Sequence, residues 1–148
     1  MIYTSINKKG VELIARDLAS TLKSGDVLLL YGELGSGKTY FVNKLCKYLN
    51  VLTITNSPSY VLLNEYEAFV RAVPLSKIKH RLMIYHYDLY RLSTLDEVIE
   101  IGILDRINDG ITIIEWPRLI EDNLPNKRIK IFFEYNKNKR NIKVEVNQ

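Results

Sequence analysis

Apolar residues first recur at helical spacing across residues 10–23, where Val11, Ile14, Ala15, Leu18, Ala19 and Leu22 share one face. Gly25 suits the stop. The period then changes. Asp26 to Tyr31 is a continuous apolar run of strand length, without polar alternation. Such a run predicts a strand buried on both faces, as in a parallel sheet covered by helices. A glycine-rich turn follows, and Thr39 to Leu49 reads as a helix with Phe41, Val42, Leu45, Cys46 and Leu49 inward.

Leu82 to His86 and Ile111 to Ile114 predict two further strands. Between them a helix is expected over Thr94 to Leu104, with Thr94 and Glu97 at capping-box spacing. The C-terminal part alternates instead. Ile129 to Tyr135 and Ile142 to Val146 flank a polar Asn-Lys-Asn-Lys turn, which predicts an antiparallel hairpin at one edge of the sheet with one face wet. No repeat or Pro/Gly/Ser linker interrupts the chain, so residues 1–148 read as one domain. The expected architecture is α/β: a P-loop NTPase-like three-layer sandwich with a mixed sheet and a C-terminal antiparallel hairpin.

Composition narrows the class. With 148 residues, 47% hydrophobic and 26% charged, the chain can bury a core without disulfides or structural metal. Its single cysteine, Cys46, cannot form an internal bridge, and no Cys/His cluster offers a zinc site. Residues 1–5 show no basic segment leading into an apolar stretch, and the apolar runs are too short to span a bilayer. A soluble, cytoplasmic protein is expected. The formal net charge of +4 permits an RNA or nucleotide partner without demanding one.

The chemistry is concentrated in Gly32-Glu33-Leu34-Gly35-Ser36-Gly37-Lys38-Thr39, which matches G-x-x-x-x-G-K-[ST], the Walker A pattern, at every fixed position. Glycines let successive backbone N–H groups point at phosphate oxygens, and the following helix adds its positive end. Lys38, expected at a wet loop-to-helix junction, supplies a charge to the β- and γ-phosphates, and the Thr39 hydroxyl can ligate Mg²⁺. Such a site also needs a carboxylate at the end of a neighbouring strand. Asp88 and Glu115 each close an apolar run, and Mg²⁺ accepts one or two carboxylates. Ser57-Pro58-Ser59-Tyr60 reads either as an ordinary proline turn or as a loop whose hydroxyl senses a terminal phosphate.

Together with His86-Tyr87-Asp88-Leu89-Tyr90-Arg91-Leu92 and Ile114-Glu115-Trp116-Pro117, these segments closely resemble the TsaE (YjeE) family. The resemblance runs from the first helix through the terminal hairpin. It implies a small bacterial P-loop ATPase required for threonylcarbamoyladenosine modification of tRNA, binding ATP with Mg²⁺ and working beside the TsaB and TsaD proteins. TsaD performs the transfer onto tRNA in that scheme, and the ATPase resets or drives the complex. By the same resemblance Lys38 and Thr39 hold phosphate and metal, and Glu115 is the metal-site acid. Asp88 takes a water-positioning or metal role, Trp116 stands beside the acid, and Arg140 of the hairpin contacts the nucleotide.

Three departures are visible. Ser59 stands where the family prefers threonine, Arg118 follows Trp-Pro where Glu or Gln is common, and the stretch Glu67 to Arg81 is long and basic. That stretch, with Lys77, Lys79, His80 and Arg81, reads as a solvated loop or as a contact for the partner complex or its tRNA. Two other functions fit the P-loop: a small-molecule kinase, and a nucleotide-gated RNA-binding module. Scattered arginines argue against the first, and the lack of an RNA-binding motif argues against the second.

Overall fold

The computed structural model describes residues 1–53, 55–71, 79–136 and 139–147. Its strands are β1 (Ile2–Ile6), β2 (Val27–Tyr31), β3 (Leu63–Arg71), β4 (Lys79–Asp88), β5 (Gly110–Glu115), β6 (Arg128–Asn136) and β7 (Lys139–Asn147). They form a mixed sheet of seven strands in the order β1-β7-β6-β2-β5-β4-β3. At its centre β6, β2, β5 and β4 run parallel. The helices are α1 (Lys8–Ala19), α2 (Lys38–Tyr48), α3 (Leu95–Glu100) and α4 (Ile103–Arg106).

The apolar run of β2 is buried on both faces because it alternates between two cores. Leu28 and Leu30 pack with Phe41 and Leu45 of α2 and Ile14 of α1, while Val27 and Leu29 pack with Val98 of α3 and Ile103 of α4. A strand's period of two sends neighbouring side chains to opposite faces, so one continuous run serves two helical layers. This is the three-layer α/β sandwich that the pattern predicts. Cys46 is buried in the α1/α2 layer, and burial pushes its thiol up to about 12, so it packs rather than reacts.

The structure corrects the expected secondary structure in three places. The hairpin of β6 and β7 does not form the sheet edge. β1 covers it, pairing antiparallel with β7 from Ile2↔Lys143, because an open strand edge still offers its backbone groups to any extended segment nearby. The helix expected over Thr94 to Leu104 is two. Its capping box is present, but Gly102 adopts φ 73°, a left-handed conformation that ends one helix and starts the next. The described ends of the basic stretch are strands rather than loop: residues 67–71 lie in β3 and 79–81 in β4, which pair antiparallel from Leu63↔Tyr87 to Arg71↔Lys79. There the Arg81 guanidinium bonds the Glu67 carboxylate. Lys77 lies outside the described residues. Among the described residues no helix is long and apolar enough to cross a membrane.

Candidate nucleotide site

The glycine loop joins the C-terminal end of β2 to the start of α2, and its conformation requires glycine at specific positions. A Cβ on Gly32 would lie 2.6 Å from the Phe133 carbonyl oxygen and 2.7 Å from Ser36 Oγ. Gly37, at φ 107°, precedes Lys38 with no side-chain cap on the helix. The first N–H groups of α2 are therefore not claimed by a capping side chain, the arrangement that favours an anion at a helix start. Ser36 Oγ is buried without a hydrogen-bond partner in the loop itself. Glu33 contributes its carbonyl, and the Leu34 side chain projects into solvent.

Lys38 is not wet, as the sequence reading expected. It is 5% exposed, its Nζ donates to the carbonyls of Gly32 (2.8 Å) and Glu33 (3.1 Å), and it lies 4.3 Å from the centre of the Trp116 ring. Burial lowers its pKa below the ordinary lysine value, opposed in part by the charges of Glu115, Asp88 and Glu33.

The two carboxylates stand side by side. Asp88 ends β4, Glu115 ends β5, and the parallel register places them directly opposite each other. Both are buried. Glu115 Oε1 accepts from the Thr39 hydroxyl at 3.1 Å and lies 3.0 Å from His86 Nε2. Asp88 Oδ1 accepts from the Tyr90 N–H at 3.0 Å, and Oδ2 accepts from the Ser59 hydroxyl. Ser57 Oγ lies 2.7 Å from Ser59 Oγ, so the Ser-Pro-Ser segment is tied to the site. From the far side Arg140 Nε donates to the Ser36 carbonyl at 3.3 Å, with its guanidinium 5.3 Å from the Tyr135 ring centre. Thr39, Glu115, Asp88, Ser59 and Arg140 are thus linked to the glycine loop or to the paired carboxylates beside it.

No three His, Cys, Asp or Glu side chains cluster as a metal cage among the described residues. The donor set fits Mg²⁺ nevertheless. Thr39 spends its one hydroxyl proton on Glu115, which leaves oxygen lone pairs on a hard ligand, and phosphate and water complete such sites. Beside the loop, Asn7, Lys8, Lys9, Tyr135 and Arg140 line a cavity of about 420 Å³. A larger one of about 580 Å³ opens beside Val27 and Ile129, at the other end of β2, and shares no residue with the loop.

The motifs alone do not single out His86 or the Tyr90 N–H. A signal for the first exists: His86 and Asp88 stand two apart in a strand and so share its face.

The pattern of the family described as "Threonylcarbamoyl adenosine biosynthesis protein TsaE" matches residues 6–142. The chain is 34% identical over 134 residues to a Rickettsia conorii protein named tRNA threonylcarbamoyladenosine biosynthesis protein TsaE, covering 90% of this chain and 70% of that one. It is 34% identical over 130 residues to the Bacillus subtilis protein of the same name, covering 87% and 74%. A crystal structure of Bacillus subtilis YdiB superposes with a TM-score of 0.71 at 28% identity, covering 100% of this chain and 86% of that one. The matched span holds the glycine loop, both strand-end carboxylates and the hairpin arginine, and this chain belongs to the TsaE family.

Proposed function

We propose that this chain is a Mg²⁺-dependent ATPase that serves threonylcarbamoyladenosine modification of tRNA together with TsaB and TsaD, and is not itself the transferase. The contact of the Thr39 hydroxyl with Glu115, in register with Asp88, carries this reading. It joins the phosphate loop to two strand-end acids, the combination a P-loop hydrolase needs. The names of the relatives supply the pathway.

In this reading loop N–H groups and Lys38 hold the β- and γ-phosphates, and the cavity beside Tyr135 and Arg140 receives the nucleoside. Thr39 and Glu115 would hold Mg²⁺, which, when bound, neutralises phosphate charge. Asp88, fixed by Ser59 and Tyr90, orients the attacking water. Ser59 links the Ser-Pro-Ser segment to that water, so loop position and hydrolysis are coupled.

The test is phosphate release from ATP by the purified protein, alone and with TsaB, TsaD and tRNA. Release to water that rises with the partners is expected. Transfer of the phosphoryl group to a small-molecule acceptor would instead identify a kinase.

A further inference from the structure

His86 is completely buried, yet it sits in the core of the sheet as a polar ring. A buried polar group is costly unless it is hydrogen-bonded. Its partner is Glu115 Oε1 at 3.0 Å, on the adjacent strand, and Nδ1 has no partner among the described residues. An ionised carboxylate only accepts, so the hydrogen lies on Nε2 and the ring donates to Glu115. Thr39 donates to the same oxygen.

We infer that His86 is a positioning residue, whose Nε2–H holds Glu115 Oε1 so that the Glu115 carboxylate and the Thr39 hydroxyl face the metal–nucleotide site in one orientation. This rests on the reading of that site as a Mg²⁺–ATP site. The carboxylate torsion of a glutamate is broad, so a single hydroxyl donor leaves it free to rotate. Two donors on Oε1 pin it and leave Oε2 for other partners. They also fix the direction of the Thr39 proton, and hence of the lone pairs a cation would meet. The loop N–H groups and Lys38 do not depend on His86. The inference therefore separates two parts of nucleotide affinity, one that needs magnesium and one that does not.

The experiment is binding of a fluorescent, non-hydrolysable ATP analogue, titrated with magnesium and repeated in EDTA, with thermal unfolding of each variant as a control. His86→Leu is expected to raise the magnesium concentration needed for half-maximal binding on the order of tenfold, the usual effect of losing an outer hydrogen bond to a metal ligand. Affinity in EDTA stays at the wild-type value. His86→Gln, whose amide nitrogen can occupy the place of Nε2, restores the magnesium requirement, whereas the shorter His86→Asn does not. Should His86→Leu fail to fold, the Gln and Asn variants decide the matter. A wild-type magnesium requirement in His86→Leu, an equal loss with magnesium and in EDTA, or identical behaviour of Gln and Asn would overturn the inference. Wild-type binding indifferent to magnesium would instead remove the metal-site reading on which it rests.

Discussion

Lys38 Nζ lies 4.3 Å from the centre of the Trp116 ring, and the two residues reach this contact from different elements. Lys38 opens α2, and Trp116 follows β5 in a left-handed conformation, φ 59° and ψ 52°. For an aromatic residue that backbone is strained. It is held by the Trp116 N–H donating to the Leu30 carbonyl at 3.3 Å and by Tyr90 packing against the ring at 4.9 Å between centroids. The indole covers the lysine and attracts its charge. Trp116→Ala should lower kcat/KM for ATP roughly fivefold, the equivalent of about 1 kcal/mol of cation–π attraction. Steady-state kinetics with wild-type values would show that the ring only packs.

Lys38→Ala should abolish ATP turnover and leave thermal stability equal or higher. Burial lowers the lysine pKa, so holding the ammonium in place at neutral pH destabilises the fold. Unfolding by calorimetry, beside phosphate release, checks both halves. A folded variant that still turns over would remove Lys38 from the site.

For Glu115→Gln the shape is kept and the charge is lost. Turnover at limiting magnesium should fall on the order of tenfold or more, while analogue binding in EDTA is retained. Normal activity throughout a magnesium titration would mean that Glu115 holds no metal.

Asp88→Asn should reduce turnover on the order of a hundredfold, the scale of a lost general base, without raising the magnesium requirement. Ser59→Ala should move in the same direction by less, since Tyr90 still holds Asp88 Oδ1. A raised magnesium requirement in Asp88→Asn would place this carboxylate among the metal ligands instead.

A pH effect on stability is expected at the foot of the loop. The Tyr31 hydroxyl, just before Gly32, donates to Glu121 Oε2 at 2.5 Å, Lys130 bonds Oε1, and Arg128 lies 3.7 Å away. Burial pushes the Glu121 carboxyl up, but Lys130, Tyr31 and Arg128 outweigh it and leave the group below the ordinary value. A carboxyl with a depressed folded pKa stabilises above its unfolded value, and that contribution is lost as pH falls through the folded value. Glu121→Gln should therefore cost about 1–2 kcal/mol at neutral pH, as for a hydrogen bond to a charged group. The gap should close only in acid, as pH falls through the depressed folded value and the wild-type carboxyl also protonates. Urea unfolding at neutral and acid pH measures it, and a gap unchanged in acid would assign the effect to shape alone.

What the sequence determined by itself is whatever its chemistry makes contiguous. The phosphate loop is legible because glycines, lysine and hydroxyl stand within one short segment whose backbone demands are local. The two-sided burial of β2 is legible because no polar residue interrupts Val27 to Leu30, and the terminal hairpin because its residues alternate. Ser59 and Asp88, by contrast, are 29 residues apart, and Arg140 and Ser36 are 104 apart. Only the parallel pairing of β4 with β5 brings Asp88 level with Glu115, and that register depends on side chains from both helical layers at once. The same holds for β1, a short segment made a strand by the open edge of β7, and for His86, whose role exists only once Glu115 stands beside it. Local propensity acts on neighbours along the chain; the register between strands is decided by non-local packing, because a one-residue slip would turn every buried side chain to the wrong face.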